Sequence, residues 1–212
     1  MGIFYQHNIN AGTKLGIWRI EEPEEFYLRT VPLKRDVSHP AKRLQHLAGR
    51  FLLPYLFRDF PTSEIIIADT RKPYLADEAY HFSISHCGNY AGVIASNSHR
   101  VGIDIELVSP RLYNIAHKFV NDKEKVFLKE WEGMEQMHLQ LTTILWSAKE
   151  ALFKWYGLGQ VDFKEHMQLS GPLVFRSDEW IELPFVFYKE FNLEVKIMAK
   201  IFGDVVLAWV CS

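Results

Sequence analysis

Val101-Gly102-Ile103-Asp104-Ile105-Glu106-Leu107 is the stretch on which the reading turns. Its apolar residues fall on every second position. Successive side chains of a strand point to opposite faces, so Val101, Ile103, Ile105 and Leu107 face a core, and Gly102, Asp104 and Glu106 share the other side. The two carboxylates lie about 6.6 Å apart along the strand, at ~3.3 Å per residue. Side chains so placed can converge on one hard cation. Mg²⁺ takes a few carboxylates, waters and substrate phosphates rather than a full protein cage. Gly102 leaves room for a ligand beside them. A lone Asp-x-Glu is more often the solvated acidic face of a half-exposed strand, so the surrounding residues have to decide.

Upstream, 81–86 and 90–96 read as strands joined by the turn Cys87-Gly88-Asn89. His86 ends the first of them, either as a structural or exposed residue or as a donor to an anion. Cys87 reads as a small turn residue, since no base is spaced to activate it. The stretch 65–68 reads as a short buried strand and 69–73 as a loop. Within Arg71-Lys72-Pro73-Tyr74, Pro73 holds Lys72 extended. That presents an ammonium to a phosphate; a solvated basic loop is the plainer reading. Pro40 suits a helix start, and Leu44, Leu47, Ala48, Phe51, Leu52 and Tyr55 then keep helical spacing, with Pro54 kinking or ending the helix. The stretch 16–20 reads as a strand and 21–28 as the opening of a helix.

Downstream, 119–131 reads as a helix and 139–156 as a longer one. Leu141, Leu145, Ala148, Leu152 and Trp155 mark its buried stripe. Glu150 and Lys154, four apart, share a different face, with Trp146 one turn earlier. Taken alone they are a surface ion pair worth ~0.2–0.5 kcal/mol. Taken as a site, Glu150 gives a third carboxylate to the metal, Lys154 meets a phosphate oxygen and Trp146 walls the site. The tail 185–211 is strand-rich, with Gly203-Asp204 as a hairpin turn. Each half thus shows a long apolar helix and then strands ending in a hairpin, a loose echo that suits an α+β fold of two similar halves.

With 212 residues, 48% of them hydrophobic, the chain suits one large domain or two small ones and buries roughly 70% of its unfolded surface without disulfides. Balanced charge, 24 basic against 26 acidic residues, disfavours broad nucleic-acid binding. Cys87 and Cys211 form no metal-ligand spacing. The opening Met1-Gly2-Ile3-Phe4-Tyr5-Gln6 is not a secretory signal, and no apolar stretch approaches the ~20 residues that span a bilayer. The expectation is a soluble, cytoplasmic monomer with no membrane or nucleic-acid partner.

Four segments in order resemble the Sfp-type 4'-phosphopantetheinyl transferases: Lys72-Pro73; Phe82-Ser83-Ile84-Ser85-His86-Cys87-Gly88; Val101-Gly102-Ile103-Asp104-Ile105-Glu106; and Trp146-Ser147-Ala148-Lys149-Glu150-Ala151-Leu152-Phe153-Lys154. Phe119 followed by Glu124 also looks like the family's stretch between the last two. The resemblance covers roughly 40–160. It implies an α+β pseudo-dimer of two similar halves, 1–107 and 108–212, with coenzyme A bound in the cleft between them. It implies that Asp104, Glu106 and Glu150 surround Mg²⁺ with the coenzyme's pyrophosphate. Lys72, Pro73, Ser85, His86, Gly88 and Lys154 would contact the coenzyme. An N-terminal Arg would meet the 3'-phosphate; Arg43 and Arg50 both lie in the right region, and Arg43 is the candidate carried forward. Cys87 departs from the family's frequent Ser, a change that a backbone contact tolerates.

The chemistry implied is attack by a serine of an apo acyl or peptidyl carrier protein on the β-phosphorus of coenzyme A, releasing 3',5'-ADP. Glu150, or a water it positions, takes the serine proton, and Lys154 stabilises phosphate charge. Two rivals use the same residues differently: a metal-dependent phosphodiesterase or nuclease, and a non-catalytic module that binds coenzyme A or a carrier.

Overall fold

The computed structural model describes residues 2–33 and 37–212. The chain divides into two compact units, Met1–Ile103 and Asp104–Ser212. Both combine helices with antiparallel strands, a mixed α and β architecture.

The first unit opens with β1 (Ile3–Asn10) and β2 (Thr13–Arg19), followed by α1 (Glu24–Leu28) and α2 (Pro40–Leu56). A two-residue pair, β3 (Ile66–Ile67) and β4 (Pro73–Tyr74), precedes the hairpin β5 (His81–Cys87) and β6 (Tyr90–Ser96). The four longer strands form an antiparallel sheet in the order β1-β2-β6-β5. Helix α2 starts at Pro40 as expected and ends two residues past Pro54. It lays Leu47, Ala48, Leu52 and Leu53 against Trp18, Phe82 and Val93. Each of these fully buried leucines is worth about 1.5–3 kcal/mol. Gly49 lets α2 approach the sheet closely: a Cβ there would stand 2.7 Å from Ile84 Cγ2.

The expected buried strand at 65–68 is corrected. Only Ile65 is buried, while Ile66 and Ile67 are 42% and 43% exposed. They pair with Pro73–Tyr74 alone, so no further sheet covers them. Strand β1 had no forecast; its alternating half-exposed residues form a sheet edge.

In the second unit come α3 (Arg111–Phe119), α4 (Asp122–Lys129) and α5 (Glu135–Tyr156). The strands β8 (Met167–Leu169), β9 (Val174–Phe175), β10 (Ile181–Phe187), β11 (Leu193–Phe202) and β12 (Val205–Cys211) follow. The helix expected over 119–131 starts later, as α4, and α3 before it had no forecast. Phe119 ends α3, and Asn121 caps α4: its side chain accepts from Glu124 N, and the Glu124 carboxylate accepts from Asn121 N, both at 2.9 Å. That reciprocal cap satisfies two orphan amides and starts the helix afresh.

The strand first quoted, here called β7 for its place in the chain (Val101–Leu107), pairs at the edge of the second sheet, in the order β7-β12-β11-β10-β8, with β9 also on β10. Residues 101–105 are buried on both faces, so the half-exposed strand is not found. The forecast stripe of α5, from Leu141 to Trp155, packs against Phe185, Ile197 and Ala208. Gly157, at φ +75°, closes α5 in the left-handed region. Gly203, at φ +64°, turns β11 into β12. Among the described residues, no helix is long and apolar enough to cross a membrane.

Candidate active site

Strand β7 and helix α5 bring the forecast acidic residues of the second unit together. Asp104 is buried, and its Oδ1 accepts from Lys154 Nζ at 2.7 Å. Glu106, two residues along the same face, is half-buried. Its Oε1 accepts from Leu107 N at 3.0 Å, and the Trp146 side chain donates to the same carboxylate. Trp146 therefore joins the site by a hydrogen bond. It also lines an open pocket with Ile115, Phe119, Val161 and Phe163.

The electrostatics tie the three carboxylates into one group. Burial pushes Glu150 up to about 7; the Asp104 charge adds to this, Lys154 opposes it and Glu106 adds more. Glu106 is also raised, first by burial and then by Asp104, against the Leu107 amide, the Trp146 hydrogen bond and Lys154. Among the described residues, the Lys154 ammonium offsets the mutual repulsion of the three carboxylates.

Among the described residues, no three His, Cys, Asp or Glu side chains form a ready-made metal cage. Mg²⁺ does not need one, since it keeps waters and takes carboxylates together with substrate phosphates. The donors are hard carboxylate oxygens, partly desolvated and mutually repelling, and that chemistry fits a divalent hard cation.

The other forecast residues belong to the first unit. Ser85 is buried near the end of β5, and His86 is exposed beside it. Gly88 turns the hairpin at φ +47°. Its carbonyl accepts from Gln45 Nε2 of α2 at 2.7 Å, a contact no sequence motif announced. Ser83, from the same segment, is structural: its Oγ accepts from Ile103 N at 3.2 Å. Lys72 is pushed down to about 8, by burial first and then by Arg100. Pro73 pairs with Ile67. Arg43 forms an ion pair with Glu24, its Nε donating to Oε1 at 2.8 Å. Arg50 Nη1 lies 3.0 Å from His46 Nδ1.

One buried pair escaped the sequence reading. Lys149 Nζ meets Glu124 Oε2 at 2.7 Å, with side-chain exposures of 0% and 1%. The signal was there: Lys149 sits between Leu145 and Leu152 of the apolar stripe, where a lysine needs a partner.

Comparison with known proteins follows the same residues. The family model of the 4'-phosphopantetheinyl transferase superfamily matches 100–206, half of the chain. A Haemophilus influenzae relative is 30% identical over 145 residues, 66% of this chain and 60% of its own. The 4'-phosphopantetheinyl transferase AcpT of Escherichia coli K12 is 30% identical over 153 residues, 65% of this chain and 73% of its own. The human L-aminoadipate-semialdehyde dehydrogenase-phosphopantetheinyl transferase is 32% identical over 130 residues, 53% of this chain and 42% of its own. On the matched span, which holds β7 and α5 with Asp104, Glu106, Glu150 and Lys154, the chain belongs to the 4'-phosphopantetheinyl transferase superfamily.

Proposed function

We propose that the protein transfers 4'-phosphopantetheine from coenzyme A to a serine of an apo acyl or peptidyl carrier protein, as a Mg²⁺-dependent holo-carrier-protein synthase. The observation that carries this reading is the coupling of Asp104, Glu106 and Glu150 around one ammonium, that of Lys154. Family membership supplies the substrate class.

Asp104, Glu106 and Glu150 would hold the cation, which when bound supplies charge neutralisation at the pyrophosphate and a fixed orientation for it. Glu150 takes the proton of the carrier serine, directly or through a water; its raised affinity for protons suits a general base. The serine oxygen forms a bond to the β-phosphorus, the bridging P–O bond breaks and 3',5'-ADP leaves. Lys154, paired with Asp104, would neutralise charge on the phosphates. Lys72, Pro73, Ser85, His86 and Gly88 would hold the coenzyme. Arg43 would have to leave Glu24 to serve the 3'-phosphate, which makes Arg50 an equal candidate.

Mass spectrometry of apo-carriers after incubation with coenzyme A and Mg²⁺ tests the reading. One phosphopantetheine should appear on one serine. Hydrolysis of a phosphodiester without any carrier would favour the nuclease reading, and coenzyme binding without transfer would favour the non-catalytic module.

A further inference from the structure

Lys149 and Glu124 form a closed polar knot inside the second unit. The Lys149 ammonium has three donors and meets three acceptors: Phe119 O at 2.6 Å, Glu124 Oε2 at 2.7 Å and Phe163 O at 2.9 Å. Glu124 is equally engaged. Its Oε2 also accepts from Asn121 N at 2.9 Å, and its Oε1 accepts from Leu169 N at 3.1 Å. One side chain of α5 is thereby tied to the end of α3, the cap of α4, the 163 loop and β8.

Burying two charges is a poor route to stability, because desolvation offsets the attraction; fixing one arrangement is the better-attested benefit. The rest of α5 is held on the sheet by apolar side chains such as Leu145, Ala148 and Leu152. Apolar burial is non-directional and resists rotation of a helix weakly. The three directed hydrogen bonds of Lys149 resist it strongly, and two more fix its partner Glu124.

We propose that Lys149 is a positioning residue. The knot sets the rotation of α5 about its axis and so fixes where the next residue, Glu150, and Trp146 and Lys154 on the same helix, stand relative to β7. A carboxylate ~5–6 Å from the helix axis moves about 1 Å for each ~10° of rotation. Misplacement of that size costs a catalytic group about 10²-fold. The proposal rests on the reading of Glu150 as metal ligand and base.

The test compares Lys149→Met/Glu124→Gln, which removes both charges at nearly constant volume, with Ile197→Val and Ile197→Ala. Ile197 is buried on β11 and takes no part in the knot, so these two bracket the loss of melting temperature without touching it. Two quantities are read: affinity for Mn²⁺ on the protein alone, and kcat and KM for coenzyme A in transfer to an apo-carrier. Removing groups that orient metal ligands costs about 10- to 100-fold. The double variant should lose that much in Mn²⁺ affinity and in kcat, with a small change in KM, while the Ile197 variants keep both at equal or greater loss of stability. Lys149→Arg, which retains the charge, should recover part of the Mn²⁺ affinity. Equal Mn²⁺ affinity in the double variant and the Ile197 variants overturns the proposal. If wild-type protein modifies no carrier, the transferase reading fails, and Mn²⁺ affinity alone decides the positioning role.

Discussion

Lys154 Nζ stands 2.7 Å from Asp104 Oδ1, and 50 residues of chain separate the two. The contact joins β7 to α5 and places the positive charge of the cluster on its most buried carboxylate. Lys154→Met should lower kcat for transfer about 10²- to 10³-fold, the usual cost of removing one charge-stabilising group. Steady-state kinetics at saturating Mg²⁺ check this; a change confined to KM would assign Lys154 to binding alone.

Glu150→Gln should separate turnover from folding. On the proposed reading it removes a metal ligand and a base together, so kcat should fall by about 10²-fold or more. The folded Glu150 holds its proton up to about 7, well above an unfolded glutamate. A carboxylate shifted upward contributes stability below its unfolded pKa, and that contribution is lost as pH rises through the folded value. Metal-free wild type should therefore lose up to about 3 kcal/mol between pH 4.5 and 7 from this group. Urea melts of Glu150→Gln across that window should show a flatter profile.

On the proposed reading, Mg²⁺ offsets that loss by binding the ionised form. Added Mg²⁺ should raise the melting temperature more at pH 8 than at pH 5.5, by the linkage between ligand binding and folding. The same scan on Asp104→Ala should show a smaller rise at pH 8. An equal rise in both proteins would place the cation elsewhere.

Lys72 titrates near pH 8 because burial and Arg100 disfavour its ammonium. If it meets a phosphate, coenzyme A affinity should weaken as pH passes 8, and Lys72→Arg should abolish that dependence. Lys72→Ala should cost about 10- to 100-fold, the range for a hydrogen bond from a charged group. Calorimetric titration at pH 7 and pH 9 reads both. His86→Ala should weaken coenzyme A binding in the same assay.

Much of this was legible in the primary structure, for identifiable reasons. The period-2 pattern of 101–107 and the helical stripe of α5 located their elements, although the strand is buried on both faces over 101–105 where alternation implies one. The clustering of Glu150 with Asp104 was legible only through motif order, since no local rule links positions that far apart. What escaped was tertiary. Ile66 and Ile67 look like core but pair with one short strand and stay exposed. The start of α4 at Asp122 and not at Phe119 hinged on the side chain of Asn121 competing for the backbone. Lys149 was passed over because its partner lies 25 residues away.

Gly49 acts as a spacer gauge. Only a residue without Cβ lets α2 lie this close to Ile84, and from that height Gln45, one turn earlier on α2, reaches the carbonyl of Gly88. A methyl group at 49 would lift the helix or tilt it, at a cost of about 1–3 kcal/mol. It would also pull Gln45 off the hairpin turn beside His86. A single missing carbon in the interior thus sets the posture of a surface turn.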